Sequence, residues 1–139
     1  MKRVELIKHL NQWYRDNNID YGATYLTHGG ALIMHGILEE TSDIDLKVSP
    51  RIWKQFNNGK FEKTILCAKG EIPETESIKV TEHIDIQLAP AHNFADLEFD
   101  RGIAYRTIPA TLNDYKLLNR PKDQIRINLI ENYLAIGSQ

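Results

Sequence analysis

The sequence predicts an α/β (α+β) domain in which helices flank a mixed β-sheet. Apolar side chains recur at helical spacing over residues 2–17, whereas residues 43–49 alternate between apolar and polar side chains. Patterns of these two kinds follow one another along the chain, without repeats or low-complexity segments. We therefore expect a single domain over residues 1–139, with its core at 22–109 and C-terminal helices at 111–137.

The elements before residue 60 are bounded by residues that typically begin or end helices. Asn17-Asn18 is typical of the turn that ends a helix. Ser49 followed by Pro50 is typical of a capped helix start with proline at the first helical position. The predicted elements are an amphipathic helix over 2–17, the strand YLTH, a short buried helix from Ala31, the polar loop EETS, the strand DIDLKVS and a helix over 50–56.

The second half of the chain predicts mainly strands, followed by two helices. In HIDIQLA, as in DIDLKVS, apolar and polar residues alternate in the same sense. Thr111 and Asp114 form a capping-box pattern, and Pro121 is typical of a first helical position. The predicted elements are the strands KTILCAK, SIKVTE, HIDIQLA and IAYRTIP, a helix at LNDYKLLN and a final helix from Pro121 to Leu134.

Composition and charge limit the classes of function. With 42% hydrophobic and 26% charged residues, a net charge of −2 and a pI near 6.2, we expect a soluble protein without a general attraction for nucleic acid. The single cysteine, Cys67, excludes an internal disulfide and is expected to be a buried apolar residue. The charged N-terminal segment lacks the apolar stretch of a signal peptide, so we expect a cytoplasmic protein with no membrane partner.

Acidic side chains are concentrated where two predicted strands carry them on one face. Asp43 and Asp45 are two residues apart in DIDLKVS, so both project from the same face, with their Cβ atoms about 6 to 7 Å apart. If HIDIQLA pairs with this strand, Asp85 adds a third carboxylate. Such carboxylates repel one another, and a hard cation such as Mg²⁺ (or Mn²⁺) removes that conflict while keeping coordination positions for phosphate oxygens. Three acids in this arrangement are typical of a two-metal phosphoryl-transfer site.

Two glycines precede the acids. A turn at Gly29-Gly30 would let the backbone approach a phosphate closely, and the N–H groups of a helix beginning at Ala31 would face its charge. The chain has no Walker A pattern, which argues against a P-loop NTPase. Together, the glycines and the acids predict that one end of segment 27–49 holds a triphosphate and the other end holds metal.

The segment HGGALIMHG followed by TSDIDL resembles the signature of the nucleotidyltransferase (DNA polymerase β-like) superfamily. That signature is an apolar strand, Gly-Gly or Gly-Ser, a short helix, Asp-x-Asp in an apolar strand and a third acid on a later strand. The resemblance covers residues 22–88, and the C-terminal DYKLLNRPKDQIRINLIENYL is similar to the helical tail of the small bacterial and phage members. It implies the nucleotidyltransferase fold.

The resemblance also implies a role for each residue that matches the motif. Gly29 and Gly30 would contact the nucleotide phosphates, and Asp43 and Asp45 would ligate the metal ions. Asp85 would complete the metal set and help to activate the acceptor hydroxyl.

In the tail, the resemblance implies a basic residue that steadies the triphosphate. Lys116, Arg120 and Lys122 are the candidates. Some relatives carry an acid in a Lys-Asp pair, which here is Lys122-Asp123. Arg126 departs from the family pattern, because a further acid is often found at this position.

The implied reaction is in-line attack of an acceptor hydroxyl on the α-phosphorus of a nucleoside triphosphate, with pyrophosphate leaving. Positioning and metal charge would supply most of the catalysis. The acceptor stays open among a protein side chain, an RNA end and a small hydroxylated molecule such as an aminoglycoside or lincosamide. The small size of the domain suggests that a homodimer or a separate partner helps to recognise the acceptor, as in the toxin–antitoxin systems that it resembles.

Alternatives remain open for the residues and for the function. Gly29-Gly30 could form only a tight turn, and Lys116 and Arg120 could be a solvated helix face. A different strand register would replace Asp85 by Glu82 as the third acid. The same fold could serve as a non-catalytic binding module or as a toxin–antitoxin component acting on a partner protein, and the same acids could serve a hydrolase or nuclease.

Overall fold

A mixed sheet of seven strands runs through the part of the chain that this computed structural model describes, residues 1–66, 75–89 and 95–137. Helices flank the sheet, so the predicted mixed α/β fold class is confirmed. The helices are α1 (Arg3–Asn17), α2 (His28–Met34), α3 (Pro50–Phe56), α4 (Ile108–Leu118) and α5 (Pro121–Gly137), with a short 3₁₀ helix at Tyr21–Ala23. The strands are β1 (Thr24–Thr27), β2 (Ile44–Val48), β3 (Glu62–Leu66), β4 (Thr75–Lys79), β5 (Ile84–Leu88), β6 (Leu97–Asp100) and β7 (Ile103–Arg106).

The order of the strands across the sheet is β3-β4-β5-β2-β1-β7-β6. The central strand β2 pairs antiparallel with β1 and parallel with β5, and β1 pairs parallel with β7. The other neighbouring pairs are antiparallel. Strands that are distant in sequence therefore lie side by side at the centre of the sheet.

One face of the sheet forms the main apolar core. The alternating apolar residues of β2 and β5 pack there against α1 and α3, and each fully buried leucine or isoleucine contributes about 1.5–3 kcal/mol of stability. All of the following side chains are at most 5% exposed: Leu6, Leu10, Trp13, Ile44, Leu46, Val48, Ile52, Phe56, Ile84 and Ile86.

The C-terminal helices pack mainly on α2. Leu32 of α2, Tyr115 of α4, and Ile127 and Ile130 of α5 form a second, smaller cluster of buried residues. Because this cluster is anchored on α2, a cleft remains between α4–α5 and the polar face of the central strands.

Two predicted helix starts are wrong. α2 begins at His28 rather than at Ala31, so the two glycines lie inside the helix. α4 begins at Ile108, where the Thr107 hydroxyl accepts a hydrogen bond from the N–H of Ala110. The predicted capping box at Thr111 is therefore wrong, because a serine- or threonine-capped start occurs four residues earlier.

The remaining differences concern strands and ends. β6 was absent from the prediction, because LEFD alternates between apolar and acidic residues over only four positions and its Phe99 is 65% exposed at the edge of the sheet. The final helix extends to Gly137 instead of Leu134. Cys67 lies outside the described residues. Among the helices that are described, none has the length and apolar character needed to cross a bilayer.

Candidate active site in the cleft

Two rows of polar side chains cross the central strands on the cleft face. In the first, which we call the acid row, Asp45 of β2 lies between Thr27 of β1 and Asp85 of β5. Two residues further along β2, the second row consists of Tyr25, Lys47 and Gln87. Side chains two residues apart on a strand point to the same face, so the rows run parallel about 7 Å apart.

The structure brings together the carboxylates that the sequence singled out: Asp45 and Asp85 lie in the acid row, and Asp43 lies just before β2. Burial raises the pKa of Asp45 to about 6, and the nearby charges of Asp85 and Asp43 add to the rise. Burial also raises the pKa of Asp85; Lys79, whose Nζ is 3.7 Å from its Oδ1, opposes that rise, and Asp43 adds to it. All three carboxylates are therefore close enough to influence one another. Glu82, the alternative third acid, is exposed in the turn before β5 and lies outside the row.

The cleft above these rows has a volume of about 960 Å³. Its floor is the polar face of the sheet, and α4 and α5 supply its other wall. That wall is partly aliphatic, because Leu117, Ile125 and Leu129 line it. A cleft of this size matches the 300–1,000 Å³ typical of small-molecule sites.

The two glycines have different surroundings. Gly29 lines the cleft, and a Cβ at this position would lie 2.8 Å from the Thr41 hydroxyl. Thr41 in turn donates a hydrogen bond to the Asp43 carbonyl oxygen (3.1 Å), so the space at Gly29 is coupled to the loop that carries Asp43. Gly30 does not line the cleft, and a Cβ there would meet Leu26 and Leu6 at 3.1 and 3.7 Å. Its small size serves the packing of α2.

The tight turn into α2 is made by His28 and not by the glycines. His28 has φ of +52°, whereas neither Gly29 nor Gly30 has a positive φ. The His28 ring lies against Tyr115. The Nδ1 atom of His28 is buried without a hydrogen-bond partner among the described residues, and burial lowers the pKa of His28 to about 4. A bulky residue in the left-handed region carries a conformational cost and occurs mainly where the surroundings enforce it. Sequence reasoning had no signal for this strain.

The tail brings cations to the cleft, although not all of the predicted ones. Arg120, Lys122 and Arg126 line it. Asp123 holds Arg120 through bonds of 2.7 and 2.9 Å to the guanidinium and 3.0 Å to the backbone N–H. Lys116 does not line the cleft; it is exposed, and its Nζ is 3.5 Å from Glu131.

Sequence reasoning missed a polar group at the second row. Lys47 donates a hydrogen bond to Gln87 Oε1 (2.6 Å). Close to it, Arg106 of β7 forms a double hydrogen bond with Asp114 of α4, at 3.0 and 3.2 Å. The alternation of DIDLKVS places Lys47 on the same face as Asp45, and this pattern could have predicted that Lys47 belongs to the site. No local pattern could have predicted the pairing of Arg106 with Asp114, because their contact joins a strand to a helix.

The donor set at the acid row suits a hard cation. Asp43 and Asp45 both line the cleft. Their negative charges and that of Asp85 repel one another when ionised, and a bound cation would reduce this repulsion. Within residues 1–66, 75–89 and 95–137, no group of three or more His, Cys, Asp or Glu side chains is arranged to hold a metal ion, and Asp85 is not among the residues that line the cleft. Mg²⁺ commonly takes only one or two protein carboxylates and completes its shell with water and substrate phosphates. The two cleft carboxylates therefore fit such an ion.

Comparisons of the chain with protein-family models, with curated proteins and with solved structures find no match.

Proposed function

We propose that the protein is a metal-dependent nucleotidyltransferase, which moves a nucleoside monophosphate from a nucleoside triphosphate to a hydroxyl acceptor. One observation carries this proposal: the carboxylates of Asp43 and Asp45 and the cations of the tail line a single cleft. These cations are Arg120, Lys122 and Arg126. Carboxylates on one side and cations on the other suit a metal–triphosphate complex, whose charges have both signs. The resemblance of the segment HGGALIMHG…TSDIDL to the nucleotidyltransferase signature supports the same fold and reaction.

Each part of the cleft then has a task. Arg120, held by Asp123, and the unpaired cations Lys122 and Arg126 bind the triphosphate; neither of these two forms an ion pair with any described residue. The triphosphate lies beside Gly29, whose lack of a side chain lets Thr41 and the loop that carries Asp43 pack closely against α2 at the cleft. Asp43 and Asp45 would hold Mg²⁺ (or Mn²⁺), which would neutralise phosphate charge and polarise the reacting phosphoryl group.

In the reaction, the acceptor oxygen forms a bond to the α-phosphorus while the bond to the β-phosphate bridging oxygen breaks. Pyrophosphate leaves, and the hydroxyl proton passes to the Asp85 carboxylate, which is the neighbour of Asp45 in the strand register. The protein forms no covalent bond of its own, so catalysis depends on positioning and charge.

The test is transfer of label from nucleotides. The protein is incubated with each of the four NTPs, labelled on either the α- or the γ-phosphate, with Mg²⁺ and cell lysate. We expect acceptor labelling from α-labelled nucleotide only, and a loss of about 10²- to 10³-fold or more in Asp45→Asn. Asp16→Asn, an exposed acid on α1 outside the cleft, is the matched control and should retain activity.

Other results identify the competing functions. Binding of Mg²⁺–NTP without label transfer would indicate a binding module, and release of phosphate without labelled acceptor would indicate a hydrolase. If no NTP with Mg²⁺ raises the melting temperature and no label is transferred, the nucleotidyltransferase hypothesis is wrong.

A further inference from the structure

The second row lies on one defined side of the acids. Along the chain the cleft residues follow in the order Asp43, which immediately precedes β2, then Asp45 and Lys47 of β2. The antiparallel partner β1 places Thr27 beside Asp45 and Tyr25 beside Lys47. The chain leaves β1 after Thr27 and reaches Gly29 next to Thr41, on the Asp43 side. Gly29 and Lys47 therefore lie on opposite sides of the acid row.

The in-line geometry of phosphoryl transfer indicates which side of the acid row the acceptor occupies. The attacking oxygen and the leaving oxygen lie on opposite sides of the phosphorus. If the triphosphate lies on the side of Gly29, as proposed above, the acceptor hydroxyl enters from the side of the second row. This inference rests on the proposed function, because it assigns the other half of the same cleft.

The charge of the second row is that of Lys47. Arg106 is neutralised by Asp114 and donates a further hydrogen bond, of 3.4 Å, to the Ala95 carbonyl oxygen. The Lys47 ammonium has three N–H donors and is bonded to the neutral amide of Gln87. Asp114 and Asp45 attract its charge, but no carboxylate of the described residues is within the 4.0 Å of a direct ion pair. A cleft cation that touches no carboxylate can bind an anionic group of a ligand directly.

We propose that the second row binds the acceptor, and that the acceptor is a small molecule with a hydroxyl group and a carboxylate or phosphate group held by Lys47. The two groups are separated by about 7 Å, the distance between the rows. A small acceptor is favoured over RNA because the chain has a net charge of −2, whereas RNA-binding surfaces combine many cations with exposed aromatic rings.

The experiment compares acceptors that differ only in the anionic group. Glycerol 3-phosphate and 4-hydroxybutyrate are each tested against an uncharged counterpart, glycerol and butane-1,4-diol, with α-labelled NTP and Mg²⁺. We expect the charged member of at least one pair to be labelled with a kcat/KM roughly 10- to 100-fold higher, as for a lost charge-assisted hydrogen bond. The phosphate and carboxylate probes show which anion is used.

Three variants separate the charge of Lys47 from its structural role. Lys47→Met removes the ammonium group. Gln87→Glu keeps the hydrogen bond to Lys47 but neutralises the charge of Lys47, so both variants should abolish the preference for the charged acceptor. Lys47→Arg should retain a preference. Lys63→Met, which removes a half-exposed lysine of β3 outside the cleft, should change nothing.

Several results would overturn the assignment. Equal labelling of charged and uncharged probes, no labelling of either, or label on RNA instead would each exclude a small anionic acceptor. A Lys47→Met variant that weakens Mg²⁺–NTP binding as much as acceptor use would show that Lys47 holds the nucleotide. In all these cases, Asp45-dependent transfer of α-label to an acceptor in the lysate would leave the proposed function standing. Absence of both NTP binding and label transfer in the wild type would exclude both proposals.

Discussion

The two faces of the central sheet are built from the same strands but have opposite properties. On the core face, Ile44, Leu46 and Ile86 are at most 1% exposed and pack against α1 and α3. On the cleft face, the intervening residues Asp45 and Lys47 are polar and border a cavity of about 960 Å³. The core face is filled, and the cleft face is left open.

Within a single strand, the residues that stabilise the fold and the residues that form the site therefore lie on opposite faces. Apolar burial on one face stabilises the fold, so the other face is free to hold charges that lower stability. Asp45 is an example of a charge that lowers stability, because burial and its acidic neighbours disfavour its ionised form. The fold tolerates the cleft because the opposite face supplies the burial.

The largest expected effect is on the core face. Leu46→Ala should lower the free energy of unfolding by about 2–5 kcal/mol, because it leaves a cavity beside α1 and α3. Leu88→Ala, at a position that is 43% exposed at the end of β5, should cost less than about 1 kcal/mol. Denaturant unfolding measures both. Similar losses of unfolding free energy at Leu46 and Leu88 would contradict the contrast between the filled centre of the core face and its exposed edge.

The next effect is a pH dependence on the cleft side. The His28 pKa of about 4 lies below the usual value of about 6.5, so the unfolded chain binds the proton more tightly. Stability from this group is complete above about pH 6.5 and is lost as the pH falls toward 4; between pH 7 and pH 5 the loss is about 2 kcal/mol. His28→Asn, which tolerates the positive φ, should lack this component.

Denaturant unfolding of both proteins at the two pH values tests this expectation. The difference in unfolding free energy between His28→Asn and wild type should shift in favour of the variant at the lower pH. A difference that does not change with pH would show that His28 is not buried as a neutral imidazole.

The smallest effect distinguishes the helices of the two faces. Ser49 caps α3 on the core side and Thr107 caps α4 on the cleft side, and alanine at either position should cost about 1 kcal/mol. Because α4–α5 form their own cluster on α2, Thr107→Ala should accelerate hydrogen exchange mainly in α4 and α5. Ser49→Ala should leave exchange in those two helices unchanged. Equal acceleration throughout the chain in both variants would indicate one cooperative unit.

Local signals in the sequence were sufficient for most elements. The alternation in DIDLKVS and HIDIQLA correctly separated buried from polar positions, and Ser49-Pro50 marked the start of α3. The start of α4 was misplaced, because Thr107 and Thr111 both precede helix-compatible residues and only the fold selects between them. β6 was missed because the alternation of LEFD spans only four residues, the shortest segment over which such a pattern predicts a strand.

The sequence by itself determined which residues alternate, where the acids and glycines stand, and which side of each strand carries charge, because these properties have a period of two residues. Only the tertiary structure decided that Asp85 lies beside Asp45, that Lys116 turns away from the cleft, and that His28 takes the left-handed turn. Such features depend on contacts between segments that are distant in sequence, and a local pattern contains no information about which strand pairs with which, or in what register.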